Sequence, residues 1–167
     1  MRILAICGSL QEKSSNLALL QIAAAAAPAG VEVVFSDALR DLPHFNPELE
    51  ANAENAVVNA WRGEVAASDA LLIACPEYGH SLPGSLKNAI DWLIGSGELE
   101  RKLVAITAAV PAKERGRLGL KALADTLAAV SARLVGGEPI ARGPSFESEV
   151  AALIKALVTR AGEPVGD

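Results

Sequence analysis

The sequence predicts an α/β fold, a doubly wound five-stranded parallel sheet with helices on both of its faces. Short runs rich in Ile, Leu and Val alternate with helix-like segments along the whole chain, as in successive strand–helix units. The run at 70–75 does not alternate polar with apolar residues, which is typical of a strand covered by helices on both sides. The run at 31–35 carries the charged Glu32 and is therefore expected at an edge of the sheet.

The predicted elements follow one another from end to end of the chain. Strands are predicted at 2–7, 31–35, 70–75 and 103–107, with a weaker fifth at 132–140. Helices are predicted at 16–27, 52–67, 85–94, 116–130 and 146–160. In the second helix, Ala53, Val57, Trp61 and Val65 recur at every fourth position, which predicts its buried stripe. No internal repeat or linker divides the sequence, so we expect one domain over 1–167 with a flexible tail at 162–167.

The strand order decides where a ligand site is expected. An edge-like second strand favours the order 2-1-3-4-5, in which the first and third strands are neighbours. Ligands of doubly wound sheets bind outside the carboxyl ends of the strands, at the point where the strand order reverses. That point lies between the first and third strands. The loops at 8–15 and 76–83 are therefore the predicted binding loops.

The composition argues against several classes of protein. Apolar residues make up 51% of the chain and charged residues 21%, which is typical of a folded domain. A net charge of −5 argues against nucleic acid or an anionic membrane as the main partner. No apolar run approaches the roughly 18–20 residues that a membrane span needs. The two cysteines and two histidines have no metal-ligand spacing, which predicts no metal site and a reducing, cytoplasmic compartment.

The first loop resembles a phosphate-binding loop, but its sequence argues against a nucleoside triphosphate as the ligand. An ATP-binding loop needs glycine directly before its Lys-Ser pair. Here Glu12 precedes Lys13 and Ser14, and its carboxylate would repel a triphosphate. The dinucleotide-binding pattern is absent as well, because Leu10 occupies the place of its second glycine.

A single phosphate group suits the residues that this loop does contain. Ser9, Ser14 and Ser15 supply hydroxyls, and the chain then enters a helix at Asn16. Hydroxyls and free amides at a helix N-terminus bind a phosphate dianion without the help of a metal. The alternative is that Ser15 or Asn16 simply caps the helix. The two roles are compatible.

The second loop carries the only tyrosine of the chain, Tyr78, among prolines and glycines that stiffen a turn. An aromatic side chain there could lie near a flat ligand.

With these two loops the chain resembles the NADPH-dependent FMN reductase family, which includes quinone, azo-dye and chromate reductases. Two family signatures are matched, at Gly8, Ser9, Ser14 and Asn16, and at Pro76, Glu77, Tyr78, Ser81, Pro83, Gly84 and residues 86–92.

The resemblance implies a flavodoxin-like fold that binds FMN and uses NADPH or NADH as co-substrate. It implies that the serines of the first loop and Asn16 hold the FMN phosphate, and that residues 76–79 run along the isoalloxazine ring. The candidate cofactor-binding residues are Ser9, Gln11, Ser14, Ser15, Asn16, Pro76, Glu77, Tyr78, Gly79, His80, Ser81 and Thr107, the last of which begins a third loop. No catalytic side chain is expected, because the cofactor supplies the reactivity. The implied partners are a small-molecule electron acceptor and further copies of the chain in a dimer or tetramer.

The expected function is FMN-dependent NAD(P)H oxidoreduction, with electrons passed to free flavin, a quinone or another small acceptor. The alternative is a flavodoxin-like electron carrier that binds FMN without NAD(P)H turnover. Carriers usually shield the flavin ring with flanking aromatic residues, whereas aromatic residues make up only 4% of this chain. One ring face is then open to a nicotinamide, which favours the enzyme.

Three departures from the family pattern predict that FMN binds less tightly than is typical. Gln11 stands where the family usually has Arg, and Gly79 replaces Asn. The third loop, 107–116, lacks the usual run of Ser and Gly. Loss of one charged contact costs about 1.5–3 kcal/mol, or roughly ten- to hundredfold in affinity.

Two cysteines and a tryptophan carry secondary hypotheses. Cys7 and Cys75 end strands that are expected to be neighbours. They form either an oxidation-sensitive pair beside the flavin or two inert buried thiols. Trp92 lies either at a boundary between subunits or in the core.

Five polar residues near the predicted crevice have a functional and a plainer interpretation. His44 follows the second strand and borders the pocket or lies apart from it. His80 either touches the substrate or the edge of the ring, or is solvated. Lys113, Arg115 and Arg117 either attract the additional phosphate of NADPH or belong to a solvated loop.

Overall fold

A parallel sheet of five strands forms the centre of the fold in the computed structural model, which describes residues 1–51 and 55–163. The strands are β1 (Arg2–Cys7), β2 (Glu32–Ser36), β3 (Ala70–Ala74), β4 (Leu103–Val110) and β5 (Arg133–Ala141). Their order in the sheet is β2-β1-β3-β4-β5, and every neighbouring pair is parallel. The predicted strand order and the edge position of the charged second strand are confirmed.

Helices cover both faces of the sheet, as predicted. They are α1 (Ser15–Ala25), α2 (Pro47–Ala51), α3 (Ala56–Ala66), α4 (Gly84–Ile94), α5 (Arg117–Ala129) and α6 (Phe146–Ala161), with a short 3-10 helix at Ala38–Arg40. Apolar residues of α1 and α6 pack on one face, and those of α3, α4 and α5 pack on the other. Among the described residues, no helix combines the length and the apolar character that a membrane crossing requires.

The segment between β2 and β3 differs most from its prediction. The sequence did not indicate the 3-10 helix or α2, because both are too short to show a periodic apolar pattern. Helix α3 begins at Ala56, after the Asn55 side chain, which accepts hydrogen bonds from the amides of Val57 and Val58. Its buried residues are Val58, Trp61 and Val65, whereas Val57 is 38% exposed.

The predicted stripe of α3 is therefore wrong at Val57, because the helix turns Val58 rather than Val57 toward the sheet. The other residue in that prediction, Ala53, lies outside the described residues. So do the predicted start of this helix at residue 52 and positions 164–167 of the predicted tail. Gly162, where that tail was expected to begin, is the C-cap of α6.

The core explains the position of Trp92. Its side chain is 1% exposed, and its indole Nε1 donates a hydrogen bond of 2.8 Å to the carbonyl of Pro43. The Phe45 ring packs edge-on against it, with 5.1 Å between the ring centroids. The core interpretation of Trp92 is thus the one that the structure supports, since the indole is enclosed within a single chain.

The register of the strands brings the two predicted binding loops together. Cys7, the last residue of β1, lies opposite Ala74, the last residue of β3. The amide of Gly8 then donates a hydrogen bond of 2.9 Å to the carbonyl of Ala74. Because both strands end at the same level, the segments that follow them leave the sheet side by side.

Candidate functional site

The first loop, residues 8–14, is organised by the hydroxyls of two buried serines. Ser14 is the N-cap of α1, and its Oγ accepts a hydrogen bond of 3.1 Å from the amide of Asn16. Ser9 Oγ accepts one of 3.3 Å from the amide of Gln11. Both side chains are only 7% exposed. The cap predicted at Ser15 or Asn16 is therefore wrong by one or two positions, and Ser14 takes that role.

Backbone amides of the first loop remain open to a ligand. Within the described part of the chain, the amides of Ser9, Leu10, Glu12, Lys13 and Ser15 donate to no protein acceptor. Lys13 directly precedes the N-cap of α1 and Ser15 begins the helix, where the helix dipole contributes a partial positive charge. Open amides beside such a helix end form an arrangement that favours an anion.

Asn16 has a structural contact that the sequence did not indicate. Its side chain is buried, and its Oδ1 accepts a hydrogen bond of 2.9 Å from the amide of Ala109 on β4. This contact joins the start of α1 to β4, which lies two positions from β1 in the sheet. The prediction that the Asn16 side chain holds a phosphate concerns its nitrogen Nδ2, since an amide oxygen cannot donate to a phosphate.

The second loop contains a two-bond turn at residues 78–81, which we call the Tyr78 turn. The amide of Tyr78 donates to the carbonyl of Ser81 (2.9 Å), and the amide of Ser81 donates to that of Tyr78 (3.1 Å). The central residues, Gly79 and His80, have φ angles of 57° and 62°. Two consecutive positive φ angles are the pattern of a type I′ turn. The turn holds Tyr78 at the surface, where 54% of the residue is exposed.

The two loops meet at Ser9. The hydroxyl oxygen of Tyr78 lies 3.4 Å from Ser9 Oγ, so the aromatic side chain reaches across to the first loop. Gly8 allows the close approach behind this contact. A Cβ atom at Gly8 would lie 3.1 Å from Pro76 Cδ and 3.2 Å from both the Ala74 carbonyl oxygen and Leu86 Cδ2.

The carboxylate of Glu77 faces the start of α5. Its Oε2 accepts hydrogen bonds from the amides of Leu118 (2.9 Å) and Gly119 (3.1 Å). These bonds, the one from Gly119 first, hold the pKa of the Glu77 carboxyl below its usual range. His80 Nδ1 lies 3.4 Å from the other carboxylate oxygen. The carboxylate of Glu77 thus binds a helix. The predicted contact of Glu77 with the flavin ring would therefore come from its backbone.

Thr107 lies within a strand, so the prediction that it begins the third loop is wrong, while its contact with the cofactor stays a prediction. Strand β4 continues to Val110, so Thr107 lies within it and is 1% exposed. Its Oγ1 donates a hydrogen bond of 3.0 Å to the carbonyl of Glu138 on β5. The strand extends beyond the prediction because Ala108, Ala109 and Val110 pair with β5 after a register shift.

The two thiols lie on opposite faces of the sheet, so the hypothesis of a neighbouring pair is wrong. Cys7 packs with the apolar cluster that contains Leu72 and Ala74, whereas Cys75 belongs to the cluster on the other face. Burial, together with the charge of Glu77, raises the pKa of the Cys75 thiol to about 12. Cys75 is therefore an inert thiol at neutral pH.

Arg40 reaches the first loop from the 3-10 helix, which the sequence did not indicate. Its Nη2 donates a hydrogen bond of 2.8 Å to the carbonyl of Leu10. Arg40 also lines a small cavity of about 70 Å³ together with Ser9, Gln11 and Asp37. No carboxylate of the described residues forms an ion pair with it. A cation thus stands beside the loop that has Gln11 in place of the family's arginine.

Two residues of the predicted basic cluster form ion pairs, and the neighbours of His44 bind α4. Lys113 pairs with Glu149, and Arg117 pairs with Glu138, each at 3.5 Å. His44 stands between Pro43 and Phe45, which are bound to α4 through the side chain of Asn88. Searched over residues 1–51 and 55–163, the chain has no group of three or more His, Cys, Asp or Glu side chains that could hold a metal ion.

Fold and site together define an open α/β protein of the flavodoxin-like class, with an anion-ready loop at the point where the strand order reverses. A solved structure, the flavoenzyme NAD(P)H:(acceptor) oxidoreductase FerB from Paracoccus denitrificans, superposes with a TM-score of 0.80 and 24% identity. The match covers 95% of this chain and 97% of that one, which shows the shared fold.

The sequence comparisons identify the family. The model of the family described as NADPH-dependent FMN reductase matches residues 1–147, so the chain belongs to that family. An NAD(P)H-dependent FMN reductase of Pseudomonas aeruginosa is 37% identical over 119 residues, which are 71% of this chain and 63% of that protein. An NAD(P)H:quinone oxidoreductase of Solanum tuberosum is 38% identical over 96 residues, 55% of this chain and 49% of that protein. The chain thus spans about half to two thirds of the length of these relatives.

Proposed function

We propose that this chain is an FMN-dependent NAD(P)H oxidoreductase that passes electrons to a quinone, free flavin or another small acceptor. The observation that carries the proposal is the meeting of the two loops. Open amides and serine hydroxyls at the start of α1 stand next to a turn that lays an exposed tyrosine over Ser9. Family membership and the activities named for the relatives support the same conclusion.

The phosphate end of FMN fits the first loop. Ser9 and Ser14 would offer hydroxyls, and the amides of the loop would donate to the phosphate oxygens. The positive end of α1 and the nearby Arg40 would balance the charge of the dianion. Gln11 belongs to the same loop and Ser15 is the first residue of α1, and we assign both to this end of the site as well.

The ring end of FMN fits the second loop. Pro76 and the Tyr78 turn, with Gly79, His80 and Ser81, would run along the isoalloxazine ring and offer backbone groups to its polar edge. Trp61 and Trp92 are each 1% exposed and so take no part in covering the ring. With Tyr78 as the only aromatic residue of the two loops, one face of the ring stays open to a nicotinamide.

The chemistry would come from FMN, which accepts two electrons as a hydride from a nicotinamide and passes them to an acceptor. The protein would bind and orient the flavin, and it would keep access open on the uncovered side. No side chain of the two loops needs to act as a nucleophile. We further propose that the enzyme acts in the cytoplasm as a homodimer or homotetramer, with no nucleic acid or membrane as partner.

Anaerobic titration tests the proposal. The purified chain is mixed with FMN and then with NADPH or NADH, and the visible flavin absorbance is followed. We expect binding and then bleaching, and we expect Ser14→Ala to weaken binding while Ser148→Ala, an exposed serine of α6, binds as the wild type does. FMN binding without bleaching would instead identify an electron carrier. If FMN did not bind at all, the proposal would be refuted.

A further inference from the structure

Glu77 joins the second loop to α5 by two hydrogen bonds from consecutive amides. The bonds to Leu118 and Gly119 measure 2.9 and 3.1 Å, and both amides belong to the first turn of the helix. Amides of a first helical turn have no acceptor within the helix. The capping residue of α5 is Gly116, whose missing side chain cannot supply one. Glu77 therefore does for α5 what a capping side chain does for other helices, from a distance of about forty residues.

Gly119 makes the same contact possible by its lack of a side chain. A Cβ atom there would lie 3.0 Å from Glu77 Cα, 3.1 Å from Glu77 Cβ and 3.2 Å from the carbonyl oxygen of Ser81. These neighbours belong to both sides of the Tyr78 turn. The helix surface thus touches the backbone that precedes the turn and the residue that closes it.

The Tyr78 turn is held against α5 by hydrogen bonds and close packing. The turn is closed by its two backbone hydrogen bonds and directly follows Glu77 in the chain. Its outer side projects Tyr78 toward Ser9, and its inner side rests on Gly119. His80 Nδ1, 3.4 Å from Glu77 Oε1, adds a direct contact between the turn and the carboxylate.

We propose that Glu77 is a positioning residue, which together with Gly119 fixes the Tyr78 turn on the first turn of α5 and so sets where the turn meets a flavin ring. The inference rests on the proposed function for its consequence in FMN binding, but the contact itself exists without a ligand. Glu77 then acts on the flavin through the turn rather than through its own carboxylate.

A pair of matched variants tests the carboxylate. Glu77→Gln keeps the size of the side chain and removes its charge, and Glu147→Gln makes the same change at an exposed residue in the first turn of α6, outside the two loops. In the flavin-free protein, we expect Glu77→Gln to accelerate hydrogen exchange of the Leu118 and Gly119 amides. With FMN, we expect its Kd to rise about three- to tenfold and the visible circular dichroism of the bound flavin to change. Glu147→Gln should alter none of these.

A second pair tests the contact from the other side. Gly119→Ala places a methyl group against Glu77 and Ser81, whereas Gly63→Ala in α3 places one where no atom lies within 4 Å. We expect Gly119→Ala to reproduce the exchange, affinity and dichroism changes of Glu77→Gln, and Gly63→Ala to reproduce none. Thermal melts show that each variant is folded before it is compared.

The outcomes separate this inference from the proposed function. Unchanged exchange at Leu118 and Gly119 in Glu77→Gln would overturn the inference, and so would faster exchange with unaltered FMN affinity and dichroism. Wild-type protein that fails to bind FMN would refute the proposed function. In that case the exchange of the flavin-free variants would still decide whether Glu77 holds the turn on α5.

Discussion

Replacing Gly8 by alanine tests whether the two loops are packed as closely as the structure indicates. The new Cβ would meet Pro76 Cδ at 3.1 Å and both the Ala74 carbonyl oxygen and Leu86 Cδ2 at 3.2 Å. A Cβ atom in ordinary contact lies 3.4–4 Å from its neighbours, so each of the three must move by a few tenths of an ångström. None of them is the free end of a flexible chain, because one is backbone, one a proline ring and one a buried leucine.

The expected cost follows from this crowding. Overpacking by a methyl group at a tightly packed position costs about 1–3 kcal/mol. For a chain of this size, 2 kcal/mol corresponds to a fall in Tm of roughly 4–8 °C. The carbonyl of Ala74 also accepts the hydrogen bond from the Gly8 amide, so relief of the clash lengthens that bond and separates the loops. FMN affinity should therefore fall together with stability.

Urea denaturation and FMN titration measure the two effects. Gly63→Ala is the matched control, since a Cβ atom there meets nothing within 4 Å and the residue lies inside α3. Alanine at an exposed helical glycine is expected to stabilise by about 0.5–1 kcal/mol. If Gly8→Ala unfolded at the wild-type urea concentration and bound FMN equally well, the close approach of Pro76 and Leu86 to Gly8 would be refuted.

The further predictions concern Arg40, Gln11, Glu77 and Cys75. Arg40→Gln should weaken FMN binding about three- to tenfold and leave riboflavin, which lacks the phosphate, unaffected; equal losses for both ligands would exclude a contact with the phosphate. Gln11→Arg in the Arg40→Gln background should recover FMN binding, measured by the same fluorescence titration. The pKa of Glu77 is lowered from 4.5 in the folded chain, chiefly by its bond to Gly119, so its stabilising effect is complete above the unfolded pKa and is lost as the pH falls through the folded one. The difference in unfolding free energy between wild type and Glu77→Gln should accordingly be constant near neutral pH and vanish in acid, and a difference that grew in acid would contradict this sign. Because the pKa of Cys75 is about 12, a thiol reagent at pH 8 should leave Cys75 unmodified in the folded chain and react with both cysteines in urea; rapid labelling of Cys75 in the native protein, located by peptide mass, would contradict its burial.

The strand order could be predicted from the sequence because a strand that is buried on both faces consists of apolar residues, whereas an edge strand contains charged ones. All five residues of β3 are buried, and its sequence contains no polar residue, so its central position in the sheet could be predicted. Glu32 marked β2 as an edge in the same way. With the first and third strands adjacent, the meeting of the two loops that follow them could be predicted from topology. The extent of β4 was not readable, because Ala108 and Ala109 suit a strand or a loop equally well.

Contacts between elements that are distant in the chain could not be predicted from the sequence in this way. Arg40 meets Leu10 across 30 positions, Glu77 meets Gly119 across 42, and Asn16 meets Ala109 across 93. Each is a bond from a side chain to one backbone group. Periodicity records which face of an element is buried, but it does not record which backbone group a polar side chain will reach. Only the assembled fold specifies these partners.

This limit changes how motif residues near the candidate site should be interpreted. Glu77 and Asn16 stand inside the two matched signatures, yet the side-chain oxygens that the structure engages bind backbone amides of α5 and β4. A variant of either residue would therefore lower FMN affinity by moving a loop, and an affinity measurement alone would count it as a lost ligand contact. Exchange at the Gly119 amide in the flavin-free chain separates the two explanations for Glu77, because the glutamine of Glu77→Gln still offers an acceptor and a lost ligand contact alone leaves that amide protected. If the Gly119 amide stayed protected in Glu77→Gln while FMN affinity fell, direct contact with the flavin would be the correct interpretation.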